Sequence, residues 1–308
     1  MRFSPAILIL LLVGGCQPEP EHTATKGHLH ILIGESVAPP ILAEVREFLR
    51  LYEKNGAEIS YDIVSSEYAV SRMVLDTAQM IFTTRRLAKE EHDLIARTAG
   101  GLVEIAVAYD GAVAVVHYKN PVEKMTLTEI RRILEGKLTR WEQLSQSNGR
   151  KGGITVFLQD SADVAQMLRV RFGGGFSFSP RIRRQLSELQ ILRSVTSDPA
   201  SIGFVSLSWI DSVKVPAKAL EISQTEAESD TSFHSPVESF GKFYAPHPAH
   251  IYRSYYPLKR TMFMYTRSSR GDIASGFGTF VANKEGQKIF LELGLVPGTQ
   301  PIRLRPSN

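Results

Sequence analysis

The chain of 308 residues has a single cysteine, Cys16. That excludes an internal disulfide framework and a zinc site built on a cysteine cluster. An excess of one charge is also lacking: 36 Lys and Arg stand against 32 Asp and Glu, a net +4. Basic residues are scattered, apart from Arg181, Arg183 and Arg184, so a nucleic-acid partner is not implied. Long hydrophobic runs are missing too. The unbroken apolar stretch 6–13 is far shorter than the roughly 20 residues a membrane-spanning helix needs. There is no Walker pattern, no Gly-x-Ser-x-Gly, no internal repeat and no low-complexity tract.

What is present is the composition of an ordinary globular protein, 43% apolar and 22% charged. The length is enough for two domains, each burying a core without disulfides or a structural metal. Arg2 followed by the apolar run 6–13 has the dimensions of a signal peptide. The ending Val13-Gly14-Gly15-Cys16 resembles the bacterial lipoprotein signal, which implies lipidation of Cys16 and removal of residues 1–15. Several acyl chains on one residue hold a protein firmly to a bilayer. Residues 16–26 are polar, carry two prolines and read as a tether.

Beyond the tether, period-two and period-3.6 patterns alternate. Strands are expected at 29–33, 59–63, 80–83, 103–109, 112–118, 154–158, 202–207 and 261–266. Helices are expected at 39–54, 68–76 and after the capping box Thr126-Leu127-Thr128-Glu129, with two amphipathic segments between 273 and 293. Strands interleaved with helices predict an α/β architecture with mainly parallel sheet. Gly111, between two apolar runs, marks a possible change of lobe. The polar stretch 223–256 reads as an excursion. Its His234, His247 and His250 are assigned to a solvated loop rather than a metal site, since the prolines there disfavour a helix.

Four turns follow strands and carry small hydroxyl residues: Gly34-Glu35-Ser36-Val37, Ser65-Ser66-Glu67-Tyr68, Thr83-Thr84-Arg85-Arg86, and Gln159-Asp160-Ser161-Ala162-Asp163. In open α/β sheets, ligands bind outside the carboxyl ends of strands, where helix N-termini offer free N–H groups to an anion. Helix capping is the ordinary use of such residues, so no single turn is decisive.

Together the turns resemble the periplasmic phosphate-binding family, the substrate-binding component of bacterial phosphate ABC importers. The likeness covers 29–215 and 256–298. It is carried by Gly34-Glu35-Ser36-Val37-Ala38-Pro39, by Met80-Ile81-Phe82-Thr83-Thr84-Arg85-Arg86-Leu87, and by 112–118 with Asn120-Pro121, Leu127-Thr128, Ile133, Gly136 and Trp141. Ile202-Gly203-Phe204 and Tyr256-Pro257-Leu258 complete it. The resemblance implies a two-lobed, Venus-flytrap (type II) fold, with 27–111 and 259–308 in lobe 1 and 112–258, including the insertion 223–256, in lobe 2. It implies a phosphate-like anionic solute in the cleft, an ABC permease as partner, and a place on the periplasmic side of a bacterial membrane, anchored through lipid on Cys16.

Carried over position by position, the solute-binding set is Ser36, Val37, Ser65, Ser66, Thr84, Arg85, Ser161, Ala162 and Asp163. The carboxylate of the family's third loop is replaced by Thr84. Gln159 stands near the family's arginine, and of its Ser-Gly-Thr only Ser161 is kept. Asp163 places a negative charge where the helix should greet an anion, and Glu35 and Glu67 add two more. Arg85 or Arg86, turned inward, would supply a cation; the ordinary reading is that both face solvent or a carboxylate on the same lobe. No His is spaced to activate Ser161, so neither enzymatic activity nor a cofactor or metal is expected. The competing reading keeps the fold but drops transport, leaving a module that contacts a partner protein through 223–256.

Overall fold

The computed structural model of the chain describes residues 22–97, 101–213, 215–267 and 271–301. Cys16 and the signal stretch lie outside them. In the first half, β1 (Gly27–Gly34), α1 (Ala38–Tyr52), β2 (Ala57–Val64), α2 (Ser66–Val74), β3 (Met80–Thr83) and α3 (Lys89–Arg97) lead into the long β4 (Val103–His117). Then come β5 (Lys124–Thr126), α4 (Leu127–Leu134), β6 (Thr155–Leu158), α5 (Asp163–Phe172), β7 (Arg183–Arg184), α6 (Glu188–Ser197), β8 (Ser201–Ser206), α7 (Leu207–Val213), β9 (Ala217–Ala219) and β10 (Glu221–Ser223). The chain closes with α8 (Pro248–Tyr252), β11 (Lys259–Thr266), α9 (Ile273–Ala282), α10 (Lys284–Glu292) and β12 (Val296–Pro297).

The main sheet runs β2-β1-β3-β11-β4-β8-β6-β7. Strands β2, β1 and β3 are parallel, as are β8, β6 and β7, while β11 and β4 run antiparallel to their neighbours. The mixed α/β, two-lobed architecture is thus as the sequence predicts. One difference is instructive. The runs 103–109 and 112–118 are not two strands but one, β4, unbroken through Gly111. Its residues 103–111 pair with β11 and its residues 112–116 pair with β8. Gly111 therefore marks a change of partner, not an end. A side chain there would press on the Tyr256 ring, 3.1 Å from the added carbon.

The elements form for local reasons. Prolines in the first turn of α1 preset its backbone, and Ile41, Val45 and Phe48 recur on one face. Phe48 meets Phe277 at 5.2 Å and Phe280 at 5.5 Å between ring centres, locking α1 to α9. Thr126 and Glu129 form the expected capping box at α4. Trp141 is fully buried, donating its indole N–H to the Ala200 carbonyl at 3.1 Å. A single buried apolar cluster contains both Phe48 and Trp141, so one core underlies both parts of the sheet.

The stretch 223–256 is packed, not free. Ile222 and Tyr244 exchange backbone hydrogen bonds, Arg171 reaches Gln224 at 2.7 Å, and Thr128 donates to Glu228 at 2.5 Å. The prediction of no helix around His247 and His250 is also corrected. Pro248 sits in the first turn of α8, where its missing N–H costs nothing, and the His247 ring accepts from the Ala249 N–H at 3.2 Å. Among the described residues no helix is long and apolar enough to cross a membrane.

Candidate functional site

Each sheet strand that ends at the cleft delivers a turn to it. The β1 turn brings Glu35 and Ser36, the β2–α2 turn brings Ser65 and Ser66, and the β6–α5 turn brings Gln159, Ser161, Ala162 and Asp163. These residues, with Ile63 and Val64, enclose a cavity of about 210 Å³. Thr84, just after β3, touches it through Asp163. Two predicted members stand apart. Val37 is in the core, with no exposed surface. Arg85 is turned to carboxylates of its own lobe: Glu91 holds it at 2.7 and 2.8 Å, and Glu67 at 2.9 Å. Arg86 is mostly exposed and lies 3.6 Å from Glu104. Neither arginine lines the cavity, because both have acidic partners nearby, as the ordinary reading of the pair has it.

Local capping follows expectation at one turn and departs from it at two. Ser65 caps α2, its oxygen accepting from the Tyr68 N–H at 3.2 Å. Ser161 does not cap α5; Ala162 occupies that position, and Asp163 opens the helix. No helix starts directly at Thr84, since α3 begins only at Lys89.

The hydroxyls meet carboxylates from the opposite side of the cleft. Ser66 donates to Asp163 Oδ2 at 2.6 Å, and Thr84 donates to the same oxygen at 2.8 Å. Ser36 donates to Glu188 Oε1 at 2.6 Å. Glu188 opens α6, and it also accepts from the Ser206 hydroxyl at 2.9 Å and the Ser206 N–H at 2.5 Å. Glu35 accepts from Gln159 Nε2 at 2.7 Å and from the Glu188 N–H at 3.1 Å. Backbone carbonyls join in: Trp209 donates to that of Glu35 at 3.0 Å, and Ser208 to that of Ser36 at 3.1 Å. The side-chain amide oxygen of Gln159, Oε1, is buried without a partner. Glu188, Ser206, Ser208 and Trp209 escaped sequence reasoning, because each acts through a partner far away in the chain.

The electrostatics grade with depth. Glu188 is fully buried, and burial pushes its carboxyl up to about 7, with Arg260 and the Ser206 and Ser36 hydrogen bonds opposing. Behind it, where the chain passes between lobes, Arg260 and Asp110 form a buried pair at 2.6 Å. Burial raises Asp110, against the pull of Arg260. Toward solvent, Asp163 is half-buried, and Ser65 and Ser161 are exposed. Among the described residues no group of three or more His, Cys, Asp or Glu side chains is placed to hold a metal ion. The site can therefore offer hydroxyl and backbone donors, backed by carboxylates, to a small solute.

Comparison with known proteins adds the following. A profile described as a PBP superfamily domain matches residues 18–285. Protein SphX of Synechococcus elongatus is 24% identical over 277 residues, covering 86% of this chain and 76% of the relative. The phosphate-binding protein PstS of Bacillus subtilis is 21% identical over 283 residues, covering 92% and 84%. The crystal structure of an ABC-type phosphate transport receptor from Vibrio cholerae superposes with a TM-score of 0.63 at 20% identity, covering 87% of this chain and 99% of that one.

Proposed function

The chain belongs to the PBP superfamily, and on that footing we propose that it is a solute receptor of a bacterial ABC importer, taking phosphate or a related small oxyanion into the cleft. One observation carries this reading: the cleft already coordinates an oxyanion. Two hydroxyls, from the α2 N-terminus and the β3 turn, converge on one carboxylate oxygen, that of Asp163. Hydroxyl donors from separate turns suit a tetrahedral oxyanion, and without an arginine fork they hold it more weakly. The relatives named as phosphate-binding support the same ligand class.

Residues 27–111 with 259–308 form one lobe of this receptor, and 112–258 the other. Ser36, Ser65, Ser66, Thr84 and Ser161 supply hydroxyls, Ala162 contributes backbone, and Asp163 competes with the solute. The closed form is what a permease reads. Lipid on Cys16 holds the receptor at the periplasmic face. The protein acts by binding and needs no catalytic group.

Isothermal titration with phosphate, sulfate and arsenate tests the reading. Saturable heat with at least one of them is expected, weakened about tenfold or more by Ser36→Ala or Ser161→Ala. Absence of heat with every oxyanion from a folded protein would refute it. Cys16→Ser should move the protein from the membrane to the soluble fraction; a variant that stays in the membrane contradicts the anchor.

A further inference from the structure

The protons of three cleft hydroxyls, those of Ser36, Ser66 and Thr84, are already committed. A serine or threonine hydroxyl has one proton to give. Ser66 and Thr84 both give theirs to Asp163 Oδ2, and Ser36 gives its own to Glu188. In every case the acceptor comes from a different strand–helix unit across the cleft. A free oxyanion seeking the Ser66 and Thr84 protons would present the same chemistry as the Asp163 carboxylate: an acceptor-only oxygen with negative charge. The two cannot be bound at once by the same protons.

The contacts also differ in depth. Ser36 and Glu188 are fully buried beside the strand crossing, whereas Asp163 is half-buried at the outer side, next to exposed Ser65 and Ser161. The inner contacts belong to the packed base of the cleft. The outer ones lie at its mouth.

Resting on the oxyanion-receptor reading, we propose that Asp163 is a built-in ligand that fills the anion position, holds the mouth of the cleft shut without solute, and must be displaced before a free oxyanion binds. Selectivity follows from competition. An anion gains the site only if it offers Ser66 and Thr84 more than the tethered carboxylate does, and if it survives the nearby negative charge of Glu35. The receptor is then tuned to weak binding or to a solute with more acceptor oxygens than a carboxylate.

The test is the distance across the cleft. Spin labels at Leu75→Cys and Val170→Cys, both well exposed, report it by pulsed electron resonance in the full chain carrying Cys16→Ser. Without solute, the otherwise unmodified protein should give a short, narrow distance distribution. Asp163→Ala should give a longer one, and phosphate should restore the short distance at a concentration at least tenfold below that needed to saturate the protein with Asp163 intact. Ser66→Ala with Thr84→Val leaves Asp163 in place but removes its donors, and should also be open, with no closure by phosphate. A short distance in Asp163→Ala without solute, equal to that of the parent, would overturn the proposal, as would a long distance in the parent. If Asp163→Ala opens and no oxyanion closes it, the built-in ligand stands and the oxyanion-receptor reading falls.

Discussion

Glu188 shows how a single carboxyl can be both structural and pH-sensitive. Its ordinary value near 4.5 is raised to about 7, chiefly by burial. Between those values the folded protein holds a proton that the unfolded chain has lost. The stability contribution is therefore complete below about pH 4.5 and is lost as pH rises through about 7. Glu188→Gln should remove this slope. The amide oxygen can keep the Ser206 N–H, while the hydroxyls of Ser36 and Ser206 rotate to accept from the amide nitrogen. Thermal unfolding at pH 5 and pH 7.5 is the check: the parent should lose more stability than the variant on raising the pH. Equal losses would show that Glu188 stays ionised in the fold. Nothing in the sequence marks this residue, since no helix is expected from the sequence at α6. Its partner Ser36 lies 152 residues away, so only the fold reveals the pair.

At the scale of elements, α6 reaches the cleft because Gly203 lets it lie flat on β8. A methyl group at 203 would sit 2.4 Å from Ile191 Cγ2 and 2.9 Å from Val195 Cγ2. Gly203→Ala should push the helix outward, costing about 1–3 kcal/mol in urea unfolding and carrying Glu188 away from Ser36. Stability unchanged from the parent would mean the helix yields freely. Elements whose cause is local were legible in the sequence: the alternation of Leu29, Ile31 and Ile33 in β1, the prolines opening α1, the capping box of α4. Those decided by tertiary partners were not. Gly111 looks like a breaker, yet β4 runs through it, since its neighbours on both sides pair in ladders. Ser161 looks like a cap, yet Ala162 takes that role and Asp163 is drawn across to Ser66 and Thr84. The hydroxyl turns themselves were readable. Which carboxylates would meet them was not, since that depends on how the two halves face each other.

For the molecule as a whole, the Arg260–Asp110 pair ties the returning strand β11 to β4 where the chain crosses. The Gly111 N–H also donates to Asp110 at 2.7 Å. Arg260→Met would strand a buried carboxylate. A loss of about 3–5 kcal/mol is expected in urea unfolding, since removing one partner of a buried pair exposes the full cost of the other charge. A loss below about 1 kcal/mol would place the pair outside the folding core. The crossing also sets the mechanics of the receptor. A strand that continues from one lobe into the other, hydrogen-bonded on both sides of the junction, is a torsion bar and not a loose joint. Any change in the angle between the two parts of the sheet must therefore twist a paired strand.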